Sequence, residues 1–95
     1  MESNILVSII MPVYNVEKYL EKTLESVKAQ SFQNYELIAI NDGSTDKSFE
    51  ILKMYQDRMP QLYIMDQKNS GVSTARNRGI KRATVGVQFL YIIYR

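Results

Sequence analysis

Four apolar stretches, separated by polar segments with helical spacing, set out the plan of this chain. Ile5-Leu6-Val7-Ser8-Ile9-Ile10-Met11 is an almost unbroken apolar run closed by Pro12. Its length and β-branching predict a buried central strand, with Pro12 marking where the ladder stops. Val13-Tyr14-Asn15 reads as a loop, and Asn15 stands where it can cap the helix that follows. From Val16 to Gln30, Leu20, Leu24 and Val27 recur at helical spacing, while Glu17, Lys18, Glu21, Lys22, Glu25 and Lys28 face water. Phe32 to Tyr35 turn into a second strand carried by Leu37, Ile38 and Ile40. A second helix is expected from about Asp46 to Gln56, with Phe49, Leu52 and Tyr55 inward, and Pro60 ends that region. Leu62-Tyr63-Ile64-Met65 reads as a third strand, followed by a polar loop from Asp66 to Ser70. Gly71 opens a third helix in which Val72, Ala75, Gly79, Ile80 and Ala83 share a face opposite Arg76, Arg78, Lys81 and Arg82. Val85 to Tyr94 is the fourth apolar segment.

The order strand-helix-strand-helix-strand-helix-strand, with crossovers long enough to hold helices, predicts an open parallel α/β sheet with helices on both faces. Tyr14-Asn15, Asn41-Asp42 and Asn69-Ser70-Gly71 then lie at one edge, where ligands bind in open α/β sheets. Between the second strand and helix, Gly43 permits a backbone bend, and Ser44, Thr45 and Asp46 are residue types that cap helices. Asp42 is either a turn carboxylate in water or an acceptor for ribose hydroxyls or the N3–H of uracil. Tyr14 is either packing or a stacking surface for a base. Arg76 is either a solvated cation or a phosphate contact. An aromatic ring, a carboxylate and a glycine-opened helix start are parts that can hold a base, a sugar and a phosphate.

Composition narrows the chemistry. The 95 residues make one small domain or a piece of a larger one, and 45% hydrophobic with 23% charged residues is an ordinary globular balance. With neither cysteine nor histidine, disulfides, thiolate or imidazole metal sites and a histidine base are excluded. A net charge of +2 does not argue for nucleic acid, and the basic cluster from Arg76 to Arg82 lacks interleaved aromatics. Met1 to Asn4 do not read as a signal peptide, and Val85 to Tyr94 is too short for a membrane span. The expected location is the cytoplasm, including the inner face of the membrane. Neither a Walker-type phosphate loop nor a dinucleotide G-x-G-x-x-G follows a strand.

The segments in sequence resemble the N-terminal half of a family 2 glycosyltransferase, the inverting GT-A type. Val7 to Asn15 resembles the opening strand and loop of that family, and Tyr19-Leu20 through Ala29-Gln30-Ser31-Phe32 its first helix. Asn41-Asp42-Gly43-Ser44-Thr45-Asp46 matches the Asp-Asp-Gly-Ser-Thr-Asp signature with one change, at Asn41. Asn69-Ser70-Gly71 and Ala75-Arg76-Asn77-Arg78-Gly79 match its Asn-x-Gly and Ala-Arg-Asn-x-Gly elements. The resemblance implies a nucleotide-diphospho-sugar transferase-like sheet and a site for a nucleotide-sugar donor, usually a UDP-sugar. It implies that Pro12, Val13 and Tyr14 line the base, that Asp42 takes uracil or ribose, and that Glu17 lies near the base pocket. Gly71 then lets the backbone approach the donor, and Arg76 approaches the diphosphate.

Family members continue into an Asp-x-Asp that holds Mg²⁺ or Mn²⁺, whereas no acidic residue follows Asp66 here. Residues 1–95 are therefore expected to form a single partial domain, a truncated donor-binding half with no catalytic residue of its own. Binding of nucleotide without transfer is expected, the glycan or lipid-linked acceptor belonging to a longer enzyme. The alternative is a non-catalytic interaction or self-association module of the same lineage. A sheet this small also suggests a homo-oligomer formed through residues 85–95.

Overall fold

The computed structural model describes residues 5, 7–86, 88–90 and 93–94. The elements in chain order are β1 (Val7–Tyr14), α1 (Glu17–Ala29), β2 (Tyr35–Asp42), α2 (Ser48–Gln56), β3 (Leu62–Gln67), α3 (Val72–Arg82), β4 (Gln88–Leu90) and β5 (Ile93–Tyr94). All strand pairs are parallel, and the sheet runs β3-β2-β1-β4, with β5 also paired to β1. β4 and β5 keep one register against β1, since Ser8 faces Gln88 and Val13 faces Ile93. The expected parallel α/β sheet is thus the observed one. Within the fourth apolar segment, Val87, Tyr91 and Ile92 lie outside the described residues.

Two apolar layers sandwich the sheet, and strand alternation decides which residue enters which. Ile9, Met11 and Val13 of β1 and Tyr35, Leu37 and Ala39 of β2 pack against α1 and α2 through Leu20, Leu24, Leu52 and Tyr55. The intervening residues Ile10, Ile38 and Ile40 pack against Ala75 of α3 on the other face. Gly79 lets α3 come this close, because a Cβ there would stand 2.5 Å from Ile10 Cγ2. Truncating a fully buried leucine such as Leu20 or Leu24 removes about 2–5 kcal/mol, a large share of the stability of a small domain. The Tyr55 hydroxyl donates to Glu25 Oε2 at 2.5 Å, tying α2 to α1. Burial, reinforced by the Glu25 carboxylate, pushes that phenol up to about 12.

At the other end of the sheet, Glu36 of β2 clasps the exit of α3. Its Oε2 accepts from Ser8 Oγ at 2.5 Å, from Thr84 N–H at 2.7 Å and from Thr84 Oγ1 at 2.8 Å. Burial works to raise this carboxyl, and the Ser8 and Thr84 bonds together with Arg82 outweigh it, so the group is lowered overall. Arg82 also lies over the Tyr63 ring, 4.0 Å from its centroid. Among the described residues, no helix is long and apolar enough to cross a membrane.

Several local expectations are corrected. β1 does not stop at Pro12, which pairs with Ile40 within the β2 ladder, and the strand continues to Tyr14. Proline keeps its carbonyl and an extended φ, so it loses only one donor of the strand. Asp66 is not in a loop, because β3 runs on to Gln67, opposite Asp42. α2 starts at Ser48 rather than near Asp46. Phe49 and Val72 are only half-buried, and Ile80 is exposed on α3 despite its helical spacing.

Candidate functional site

The C-terminal ends of β1, β2 and β3 share one edge because the strands are parallel. Val13 pairs with Asn41, which carries Tyr14 to the rung of Asp42, and Asp42 pairs with Gln67. By alternation, Pro12, Tyr14, Asp42 and Gln67 belong to the α3 face of the sheet, whereas Val13, Asn41 and Asp66 belong to the α1 and α2 face. One residue of separation thus sends the adjacent polar pair Asn41 and Asp42 to opposite sides.

Asp42 is fully enclosed, at 0% exposure. Its Oδ1 accepts from Ser70 N–H at 2.7 Å and from Gln67 Nε2 at 2.9 Å. Its Oδ2 accepts from Gly71 N–H at 2.9 Å and more weakly from Asn69 Nδ2 at 3.3 Å, and the same Asn69 nitrogen reaches the Asp42 carbonyl at 3.0 Å. The carboxylate therefore fastens the end of β2 to the loop that enters α3. A negative group at a helix N-terminus also meets the positive end of the helix dipole. Gly43 makes the approach possible: its φ is +72°, and a Cβ would stand 2.5 Å from Asn69 N. Gly71, the N-terminal cap of α3, has φ +100°, which only glycine adopts readily. Arg76 stands one turn further into α3 and is half-buried.

Asn41, 3% exposed, points its chemistry the other way. Its Nδ2 donates to Asp66 Oδ1 at 2.8 Å, while its buried Oδ1 has no hydrogen-bond partner among the described residues. An aspartate in its place, as in the family signature, would set two carboxylates against each other, and the amide removes that conflict. Asn41, Gly43, Ser44, Phe49, Asp66 and Lys68 are among the residues lining a cleft of about 690 Å³ on this side.

The rest of the Gly-Ser-Thr-Asp stretch joins the first two helices to each other. Asn15, with φ +50°, does not cap α1. Its Oδ1 accepts from Thr45 N–H at 2.7 Å, and its own N–H donates to Ser44 Oγ at 3.0 Å. The free amides at the start of α1 are met across the chain instead: Val16 N–H donates to Ser48 Oγ at 2.9 Å and Glu17 N–H to Asp46 Oδ2 at 3.0 Å. Glu17 returns the contact, its Oε1 accepting from Lys47 N–H at 2.8 Å. Asp46 Oδ1 takes Ser48 N–H at 2.8 Å. Burial would raise the Asp46 carboxyl, and the bonds from Ser48 and Glu17 outweigh it and lower the group.

Of the expected site residues, Pro12, Tyr14, Asp42 and Gly71 share one side of the sheet edge, with Arg76 on the helix that follows. Val13 is fully buried on the α1 and α2 face, so its side chain belongs to the core. Glu17 is held on the other side, capping α2. Asn69 stood in the Asn-x-Gly element but without an assigned role, and Gln67, which with Asn69 holds Asp42 in place, carried no signal beyond polarity in a loop. A strand end placed two residues later would have found Gln67, since it puts that residue on the rung of Asp42. The residues present do not fit a divalent cation site. Among those described, no group of three or more acidic side chains converges, and no acid follows Asp66.

A parallel sheet with polar groups gathered at the strand ends, two helices on one face and one on the other, defines an open-sheet α/β domain. The likeness to solved structures specifies it as the GT-A fold: the crystal structure of S. aureus TarS 1-349 in complex with UDP matches with a TM-score of 0.77 at 28% identity, covering 93% of this chain and 26% of that one. Residues 8–94 match the model of glycosyl transferase family 2, and the chain belongs to that family. It is 45% identical over 74 residues to the glycosyltransferase GlyA of Streptococcus pneumoniae, a match covering 78% of this chain and 11% of that protein. It is 48% identical over 79 residues to the minor teichoic acid biosynthesis protein GgaB of Bacillus subtilis, covering 80% of this chain and 9% of that protein. The chain thus spans about a tenth of the length of these two relatives.

Proposed function

We propose that this chain supplies the nucleotide-binding part of a glycosyltransferase that moves a sugar from a UDP-sugar to a glycan or lipid-linked acceptor during polysaccharide synthesis. The observation that carries the reading is the convergence of Tyr14, Asp42 and the Gly71 helix start on one side of the sheet edge. Family membership and the likeness to a UDP-bound structure support it. In this reading the Tyr14 ring and the Pro12-Val13 backbone flank the base, and Asp42 meets uracil or ribose when the Asn69 loop yields one of its acceptor positions. The α3 start at Gly71 and the Arg76 guanidinium face the diphosphate, where a helix N-terminus and a cation both favour negative charge. Glu17 contributes indirectly, by keeping the two helix starts together. Transfer itself is assigned to residues outside this stretch, including any Mg²⁺ or Mn²⁺ ligands.

Calorimetric titration with UDP tests the reading. The chain should give saturable heat, and Asp42→Ala and Arg76→Ala should each weaken binding by about tenfold or more, the worth of a hydrogen bond to a charged group. Because Asp42→Ala also frees the loop, Arg76→Ala, which touches none of the Asp42 hydrogen bonds, keeps the test decisive if the first unfolds. No heat with the unaltered chain, or an affinity in both variants equal to that of the unaltered chain, would overturn the proposal.

A further inference from the structure

Gln67 bridges two charged groups, Asp42 and Arg78. Its Nε2 donates to Asp42 Oδ1 at 2.9 Å, and its Oε1 accepts from Arg78 Nη1 at 3.1 Å. The same Arg78 nitrogen also reaches the Asp66 carbonyl at 3.2 Å, fixing the guanidinium against the end of β3. The amide has one orientation open to it: an ionised carboxylate only accepts and a guanidinium only donates, so nitrogen must face Asp42 and oxygen must face Arg78. The side chain is therefore an adapter between a cation on the second turn of α3 and the carboxylate that holds the first. Asp42 in turn receives the N–H groups of Ser70 and Gly71.

We propose that Gln67, anchored by Arg78, is a positioning residue for the nucleotide site: it fixes which way the Asp42 carboxylate faces and thereby where the Ser70-Gly71 backbone is presented. The inference rests on the nucleotide reading above and adds to it Gln67, outside the family motifs, and Arg78, at the unspecified position of Ala-Arg-Asn-x-Gly. Losing the adapter leaves Asp42 free to turn about its side-chain torsions, and the loop amides lose a fixed acceptor. The entropy of ordering those groups is then borne by the ligand, which weakens binding without removing any direct contact.

Gln67→Glu is the informative variant, because it keeps size and the Arg78 contact while turning the Asp42 end into a facing pair of acceptors. The expected result is an affinity for UDP lower by about tenfold. Faster amide exchange at Ser70 and Gly71 should accompany it, with the β1 and β2 amides unchanged. Arg78→Ala, on an exposed helix face, should move both readouts the same way by a smaller factor, about threefold. It serves as the second variant if Gln67→Glu misfolds. Against an unaltered chain that binds UDP, normal affinity in Gln67→Glu overturns the relay and leaves the nucleotide site standing. Weaker binding with unchanged Ser70 and Gly71 exchange also overturns it, by making Gln67 a direct contact. An unaltered chain that gives no heat with UDP removes the nucleotide reading, and the positioning role with it.

Discussion

Replacing Glu36 by alanine should destabilise the fold far more than a half-exposed glutamate ordinarily does. One of its oxygens accepts from Ser8 Oγ, Thr84 N–H and Thr84 Oγ1, and Ser8 is fully buried between β2 and β4. A hydrogen bond to a charged acceptor is worth about 1.5–3 kcal/mol, and a buried hydroxyl left without an acceptor costs about 1–3 kcal/mol. The three bonds share one oxygen, and solvent screens the half-exposed carboxylate, so the values do not add. A net loss of about 2–4 kcal/mol is expected, read as a lower urea midpoint with an unchanged slope.

Ser8→Ala alone removes the buried donor together with its bond and should cost about 1 kcal/mol. The double variant should lose about 1 kcal/mol less than the two single losses combined, because no hydroxyl is then stranded. The pH dependence has a definite sign. Since the carboxyl is lowered in the fold, its contribution is present above the ordinary value of 4.5 and disappears as pH falls through the folded value. The stability gap between the unaltered chain and Glu36→Ala should therefore narrow in acid. Strict additivity in the cycle, or a gap that does not narrow as pH falls below 4.5, would refute the clasp.

Gly43→Ala should strain a left-handed backbone position by about 1–2 kcal/mol and push Asn69 away from Asp42. UDP affinity by calorimetry should fall at least about tenfold, and an unchanged affinity would show that the Asn69 loop does not shape the site. Association is expected as well. Leu90 is 48% exposed on β4, in the segment proposed to join copies of the chain. Light scattering should report a mass that rises with concentration, and a constant monomer mass would dispose of the contact.

The sheet was legible because its signal is redundant. Buried parallel strands need apolar residues on both faces, so the runs around Ile9 and Ile38 stood out without any knowledge of their neighbours. Leu20, Leu24 and Val27 likewise had no second use. The errors gathered where a polar residue had several partners to choose from. Asn15 has the chemistry of a helix cap, yet Thr45 and Ser44 lie across a gap of about thirty residues and claim both its oxygen and its amide. Ile80 has the spacing of an inward residue, but a helix needs only a narrow stripe to cover a sheet, and Ala75 with Gly79 already fills it.

The same competition explains why the polar motif after β2 could be recognised as a unit but not apportioned. Its six residues look like one functional group when written in a line. In the fold, alternation sends Asp42 toward α3 and Asn41 toward Asp66, while Ser44 and Asp46 turn back to Asn15 and Glu17. Of the six, Asp42 is the side chain on the α3 face, and Ser44, Thr45 and Asp46 keep the two neighbouring loops from separating. The motif is then as much a clamp as a recognition element, which predicts different penalties for its members. Loss of Asp46 should frees both helix starts and lower stability, since it accepts from Glu17 N–H and Ser48 N–H at once. Loss of Asp42 should instead fall first on the Ser70-Gly71 loop, and so on whatever that loop holds.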